Sequence, residues 1–478
     1  MAIEPKDGTA ILKRLEITNN SGSHIQDLSP IYAELNYFES MLNPTVSVNI
    51  TLRDGSNIKD TLPIVGGEVL RYAFSDTYED ARGHEAVISN GSPYKVAENP
   101  NHKTLNVSDA KSSHGISPEE KRPMRVYKLQ GRARERDRLE SYALSCVTGD
   151  FLHSSYKKVE KAYRGTALEI VEQLLEGYFG LAYSADRGYD FTNGQISHTF
   201  VRETPIGAIR KIASEAEAKG NTDSNYYFWQ TNSGYKFRNL QSLISAKSTR
   251  KYMYVTGNTE ADKKIEGSKI LSLTEPVSFS SLDGILGGQY GVNVKYYDPI
   301  AKSMFENKFS HHDTYYPPKW RSKKRPTHAL LPENISKEFS KDQSLEKYLV
   351  SNYVSAHNSY CTERDYEIRN QPVRKQNFLA KSTAVHNQFL TGAIEILVYG
   401  NSSIQAGDLI DIDVPSTGES ASASDNLMDK LSSGKYLIVS LRHSVTPDSY
   451  YTALTITKDS YLKYPVLDDT DDFGELVL

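Results

Sequence analysis

Residues 64 to 74, IVGGEVLRYAF, align without a gap on residues 404 to 414, IQAGDLIDIDV. Ile64 meets Ile404, Gly67 meets Gly407, Glu68 meets Asp408, Val69 meets Leu409 and Leu70 meets Ile410. Each copy follows an alternating segment that ends in glycine, VNITLRDG before the first and IEILVYG, closing on Gly400, before the second. Each precedes a long polar stretch and then two strand-like runs, VYKLQGRAR with SYALSCV and KYLIVSLRH with YYTALTIT. Agreement of order, with the main insertion at the same place, marks an internal duplication. The two glycines are expected to share a task, because a turn feeding a strand needs a positive φ and the adjacent Glu68 or Asp408 hydrogen-bonds the turn backbone. Residues from about 8 to 150 and from about 270 to 465 are therefore expected to build one small antiparallel barrel each.

Period-two patterning supports strands elsewhere too. Val46, Val48, Ile50 and Leu52 alternate with Ser47, Asn49, Thr51 and Arg53, and Ile410, Ile412 and Val414 alternate with Asp411 and Asp413 before Pro415. Thirty-two tyrosines suit pleated, half-buried positions. Two helices are predicted between the sheet regions. TALEIVEQLLEGYFG carries a Thr166/Glu169 capping box, and TPIGAIRKIASEAEAKG has Thr204 as N-cap, Pro205 at the first helical position and Gly220 as stop. NYYFWQTNSGYKFRNLQSL, residues 225 to 243, reads as a hairpin packed on the second helix, with Tyr227, Trp229, Tyr235 and Phe237 as packing or subunit-contact residues. A third helix is expected from Ser344, at SLEKYLVSNYVSA.

The class is thus α+β, mainly β: two tube-like antiparallel β-barrels with an inserted helix-containing domain. Residues 1–150 form the first barrel, with a polar loop at 75–124; 151–269 the inserted α+β domain; 270–298 and 377–465 the second barrel. Residues 299–376 are a polar insertion without an assigned fold, and 466–478 an acidic tail.

Chemistry-bearing patterns are few. SLDGILGGQYG (281–291) is followed by a strand, not the helix that a phosphate cradle needs. His311, His312 and Asp313 point to opposite sides of an extended chain and find no distant partner pattern, so no metal or cofactor is expected. Neither G-x-S-x-G nor H-E-x-x-H occurs, and no enzyme activity is predicted. Cys146 and Cys361 lie in no metal or redox spacing and read as buried thiols. A net charge of −4 argues against general nucleic-acid affinity. Arg132, Arg134, Arg136 and Arg138 recur at every second position and are candidates for ion pairs between subunits, while KWRSKKRP (319–326) reads as an exposed loop. MAIEPKDGTA lacks the apolar run of a signal peptide and no segment has membrane-span length, so folding in the cytoplasm without membrane insertion is expected.

AIEILVYGNSSIQAGDLIDIDVPS (393–416), GKYLIVSLRHSVTPDSYYTALTITKDS (434–460) and the helix with hairpin at 204–243 carry a family resemblance. On these residues the chain resembles the baseplate central hub proteins of contractile-tailed, myovirus-type bacteriophages, within the late-control and spike-base superfamily of contractile injection systems. The resemblance implies a non-enzymatic homotrimer in the virion tail baseplate, assembled in the host cytoplasm. Two barrels in each of three subunits would offer six similar units, mating a sixfold tail tube with a threefold central spike. Implied partners are the spike, the tail tube or tube-initiator protein, the tape measure protein and the baseplate wedge, with DNA only in transit. Asp411 and Asp413 are then candidates to face the bore, where like charge keeps DNA from adhering. Two rival readings are a carbohydrate-binding or adhesin-type β-protein, suggested by the tyrosines and loops, and a tail-associated cell-wall hydrolase, which requires a catalytic carboxylate.

Overall fold

The computed structural model describes residues 8–76, 87–90, 123–136, 139–180, 191–218, 225–244, 246–254, 268–275, 286–288, 291–298, 302–310, 351–356, 375–390, 393–415, 429 and 432–458. The polar stretches at 91–122, 311–350 and 416–428, the His311–Asp313 run, the basic run at 319–326, Cys361 and the acidic tail lie outside the described residues.

The amino-terminal module contains β1 (Ala10–Thr18), β2 (Ile25–Asp27), β3 (Tyr32–Ser40), β4 (Ser47–Asp54), β5 (Val69–Asp76), β6 (Val87–Ser89), β7 (Met124–Arg136) and β8 (Leu139–Thr148). Its order is β2-β1-β5-β7-β8-β4-β3, with β6 beside β5, and all its pairings are antiparallel. The alternation seen in the sequence is the burial pattern of β4, where Val48, Ile50 and Leu52 are inaccessible. Asp54 at the end of β4 accepts from Ser56 N (2.8 Å) and Ile58 N (2.7 Å), fastening the short α1 (Ile58–Thr61).

Helices gather in the middle of the chain: α2 (Gly149–Tyr156), α3 (Ala167–Phe179) and α4 (Pro205–Glu215). The capping box of α3 forms, with Glu169 N donating to Thr166 Oγ1 (3.3 Å) and Thr166 N to Glu169 Oε2 (2.8 Å), and Gly180 ends the helix at φ 62°. Thr204 caps α4 by accepting from Gly207 N at 3.2 Å. This helix stops at Glu215, ahead of the glycine expected to end it, because the chain turns at once into β12 (Glu217–Ala218), which pairs with β10 (Thr192–Asn193). β9 (Ala162–Gly165) pairs with β11 (Ile196–Thr199), and β13 (Tyr226–Thr231) with β14 (Gly234–Asn239), followed by α5 (Leu240–Ile244).

The carboxy-terminal module is a closed ring. β15 (Arg250–Tyr254), β16 (Lys269–Thr274), β20 (Ile394–Tyr399), β21 (Leu409–Asp413), β22 (Gly434–Val445) and β23 (Tyr450–Thr457) run in the order β22-β21-β15-β16-β20-β23, and β23 returns to β22. The class is mainly β, as the sequence implies. The barrel is not wholly antiparallel, however, because β15 lies parallel to both its neighbours. Between β16 and β20 the chain forms a separate sheet of β17 (Gly291–Asp298), β18 (Ser303–Ser310) and β19 (Ser351–Ala356), backed by α6 (Lys375–Leu390), whose Ala380 and Ala384 cluster with Val292, Val294 and Phe309. The segment SNYVSA, expected to be helical, is β19. Its Ser351 lies opposite Val292 in a parallel ladder, and sheet pairing with β-forming Tyr353 and Val354 overrides the apolar spacing that suggested a helix.

The duplication is resolved to the level of register. β3, β4, β5, β7 and β8 correspond in chain order to β16, β20, β21, β22 and β23. Val69 faces Arg125 as Leu409 faces Leu437, Ile50 faces Leu144 as Ile396 faces Leu454, and Leu35 faces Ile50 as Leu273 faces Ile396. Two irregularities coincide, between Val126 and Lys128 as between Ile438 and Ser440, and between Tyr32 and Glu34 as between Ile270 and Ser272, while β7 has two more against β8, at Gln130–Ala133 and Arg134–Arg136, that β22 does not have against β23. The sixth strand differs. β1 is antiparallel to β5 and takes β2 on its outer edge, whereas β15 is parallel to β21 and closes the ring against β16.

The two modules are not separate barrels side by side. Past its irregularity at Val439, β22 leaves β21 and runs along β3, so one sheet passes through both modules. A bulge bends a strand and increases its twist, which is how one strand serves two curved sheets.

Candidate functional site

The seam between the modules concentrates the buried polar groups. On β3, Leu35, Tyr37 and Glu39 share the inward face, and Glu39 is 2 % exposed. Its carboxylate accepts from the Tyr37 hydroxyl (2.6 Å), Asn232 N (2.6 Å) and Ala406 N (3.0 Å). One side chain thereby joins the first module, the tip of the β13–β14 hairpin and the second glycine turn. Burial pushes its pKa up to about 7, opposed by those hydrogen bonds and by Lys236.

The hairpin acts as a wedge whose alternate residues face two cores. Tyr226, Phe228, Tyr235 and Phe237 pack with α3 and α4, the Tyr226 and Phe237 rings stacked at 4.9 Å and the Phe228 and Tyr235 rings at 5.2 Å. Trp229 and Tyr227 face the seam, among Met41, Ala406, Leu409, Leu437 and Phe389. Trp229 donates from Nε1 to the Ala406 carbonyl at 3.0 Å, and Tyr227 is hydrogen-bonded to His386 of α6 at 2.7 Å. Asn232 and Gln230 extend the wedge into the first module, Asn232 Nδ2 donating to Val87 O (2.9 Å) and Gln230 Oε1 accepting from Val46 N (3.3 Å).

The glycine turns are equivalent in detail. Gly67 (φ 92°) donates to Val126 O at 2.7 Å, and Gly407 (φ 95°) donates to Ile438 O at 2.8 Å. Glu68 accepts from Val65 N at 2.8 Å, and Asp408 accepts from Gln405 N at 2.9 Å, three residues back in each case. Gly400 serves close approach instead, because a Cβ there would lie 2.1 Å from the Tyr450 ring. Next to it, His443 of β22 is inaccessible among Tyr37, Phe74 and Tyr450, with Thr452 Oγ1 and the Tyr450 hydroxyl each 3.0 Å from its Nδ1. Burial pushes its pKa down to about 3 and keeps it neutral.

Asp411 and Asp413 alternate with buried Ile410 and Ile412, so they face away from the barrel interior; Asp411 accepts from Ser248 Oγ and Asp413 pairs with Lys251. Arg132 binds Glu140 of its own hairpin through two bonds (3.0 and 3.1 Å), and Arg134 lies 3.7 Å from the same carboxylate. Arg136 ends β7 opposite Leu139, and Arg138 lies outside the described residues. Cys146 is buried, which raises its thiol pKa.

What this arrangement does chemically is hold backbone. The buried carboxylates Glu39, Asp54, Glu68 and Asp76 each accept from main-chain N–H groups, Asp76 from Ser402 N at 2.9 Å. Among the described residues no group of three or more His, Cys, Asp and Glu is placed to hold a metal ion, and no helix is long and apolar enough to cross a membrane. Sequence reasoning missed Glu39, Asp76 and His443. The signal was present as parity, since Glu39 follows Leu35 and Tyr37 and His443 sits between Leu441 and Val445 on inward-facing positions.

Comparison with known proteins finds no matching family model and no matching curated protein. Solved structures with a similar chain course are phage tail proteins and a secretion-system component. The tail protein of Neisseria meningitidis MC58 is 9 % identical, covering 94 % of this chain and 97 % of its own, at a TM-score of 0.47. The 43 kDa tail protein of prophage MuSo2 from Shewanella oneidensis is 8 % identical, with 94 % and 99 % covered, at 0.48. The E. coli c3393 protein, a type VI secretion component described as similar to the T4 bacteriophage tail proteins gp27 and gp5, is 10 % identical, with 96 % and 80 % covered, at 0.36.

Proposed function

We propose that the chain is a structural hub of a phage-type contractile tail: a homotrimer whose six similar sheet modules line a ring around an open axis. The ring adapts a sixfold tail tube to a threefold central spike and lets DNA pass, and it performs no catalysis. The observation that carries this reading is the five-strand repeat held in register within one polypeptide, since a trimer of such chains presents near-sixfold symmetry while remaining threefold. The hairpin wedge and Glu39 lock the two modules in one orientation, as a ring wall requires. Acidic positions Asp411 and Asp413 are proposed to face the bore, and the arginines of β7 to lie near a subunit boundary.

Native mass measurement tests this. Three copies of the 53.6 kDa chain, imaged as a ring with a central passage, are the expected result. A monomer that binds glycans saturably would replace the hub with the adhesin-type reading.

A further inference from the structure

Inside one chain the modules meet by strand pairing. The far half of β22 runs antiparallel to β3, from Ser440 opposite Ser40 to Val445 opposite Leu35. In the repeat β22 corresponds to β7 and β3 to β16, so each strand of this junction has a counterpart. Neither counterpart is used among the described residues. β5 pairs with β7 at Val69–Arg125 and Leu70–Met124, and beyond that point β8 is the one neighbour of β7 among the described residues. Among the described residues β15 pairs with β16 at Lys269 and Ile270, and Ser272 to Thr274 have β20 as their described neighbour. Side chains along both edges are exposed: Tyr127 is 52 % exposed, and Lys128, Gln130, Ala133, Ser272 and Thr274 are exposed. A strand edge without a partner is a template for another strand.

Within one chain the two edges are not paired among the described residues, β8, β4, β3, β22, β21 and β15 standing between β7 and β16 in the sheet order. They can meet between chains. We infer that the outer edge of β7 in one copy pairs antiparallel with β16 of a second copy, reproducing between subunits the junction that β22 and β3 make within one. This rests on the trimeric reading and adds the contact that closes it. Such a contact is heterologous, head to tail, and closes into a ring when the rotation between copies is a whole fraction of a turn, here one third. Alternation of the internal junction with its intermolecular copy is what would make six modules equivalent.

The register follows from the repeat. Ala133 faces Ser141 as Ser444 faces Tyr451, and Leu273 and Leu35 hold equivalent places opposite Ile396 and Ile50. Since Ser444 lies opposite Asn36 and Val445 opposite Leu35, Ala133 of one copy falls opposite Thr274 of the next, and Arg134 opposite Leu273.

Directly opposed residues in an antiparallel pair have Cα atoms about 4.5 to 5.5 Å apart, within reach of a disulfide. The test is cysteine trapping in the full chain. Ala133→Cys with Thr274→Cys, oxidised and run on a non-reducing gel, is expected to give covalent dimers and trimers that collapse on reduction. Neither single variant should give them, and a mixture of the two single variants should stop at dimers. Ala133→Cys with Ser272→Cys, out of register, should link at a small fraction of that yield. Both positions are exposed, so folding is checked simply by an unchanged melting curve. A native trimer that does not cross-link through Ala133 and Thr274 overturns this contact and leaves the hub reading standing. A chain that stays monomeric overturns both.

Discussion

Replacing Gly407 by alanine tests the wedge directly. At φ 95° an L-residue is strained, costing about 1 to 2 kcal/mol. The new Cβ would also lie 2.6 Å from Cζ2 of Trp229, an indole with no exposed surface whose Nε1 is tied to Ala406 O. Overpacking of that kind adds about 1 to 3 kcal/mol, so the total is about 2 to 5 kcal/mol. Gly67 is the internal control. It has nearly the same φ, 92°, but its Cβ would meet only the exposed Asn20 side chain, at 2.9 Å. Gly67→Ala should therefore pay the conformational cost alone, about 1 to 2 kcal/mol. Urea unfolding of the two variants and the parent, followed by tryptophan fluorescence and far-ultraviolet circular dichroism, measures the difference. Adding Trp229→Phe to Gly407→Ala should cost less than the sum of the two single changes, because the smaller ring vacates the space that the Cβ needs. Equal losses at Gly67 and Gly407, or strict additivity with Trp229→Phe, would refute the packing argument.

The turn carboxylates should behave as a pair: Glu68→Gln and Asp408→Asn each weaken an acceptor of main-chain N–H groups and should destabilise by about 1 to 3 kcal/mol, measured by the same unfolding assay. Two buried groups should write opposite slopes into stability against pH. Glu39, raised from 4.5 to about 7, makes the folded chain bind the extra proton, so its contribution is complete below the unfolded value and is lost as pH rises through about 7, a change of about 3 kcal/mol. His443, lowered from 6.5 to about 3, contributes fully above pH 6.5 and loses that contribution as pH falls towards 3, by about 4 to 5 kcal/mol. Relative to the parent, Glu39→Gln should gain stability between pH 5 and pH 8 and His443→Phe should gain it between pH 6.5 and pH 4; melting temperatures that shift by the same amount at every pH would contradict both assignments.

Much of the architecture was legible because its signals are local. Thr166 with Glu169, Thr204 with Pro205, and the positive-φ Gly234 specify two helix starts and a hairpin within a few residues of chain. The duplication was legible because Gly67 and Gly407 hold the same positive-φ turn. Strand partnership was not, since alternation states which face is buried and leaves the neighbour open. Nothing in RKYMY announces that β15 lies parallel between β21 and β16, and nothing in YLIVSLRHSV announces that β22 changes partner after Val439. The same limit explains SNYVSA, where a tertiary ladder decided the outcome. At the seam, the hairpin was recognised as packing on α4, but its second face, with Trp229 against the Gly407 turn, depends on contacts from residues far away in the chain.

Because β22 belongs to both modules, force applied to one reaches the other along a covalent backbone. Sliding the modules past each other would have to shear six residue pairs, Ser440–Val445 against Leu35–Ser40, together. Each polypeptide is in this sense braced between its two modules by the strand they share. In an assembly built from such chains, a load on one module would be shared with its neighbour through that strand before it reached the next copy.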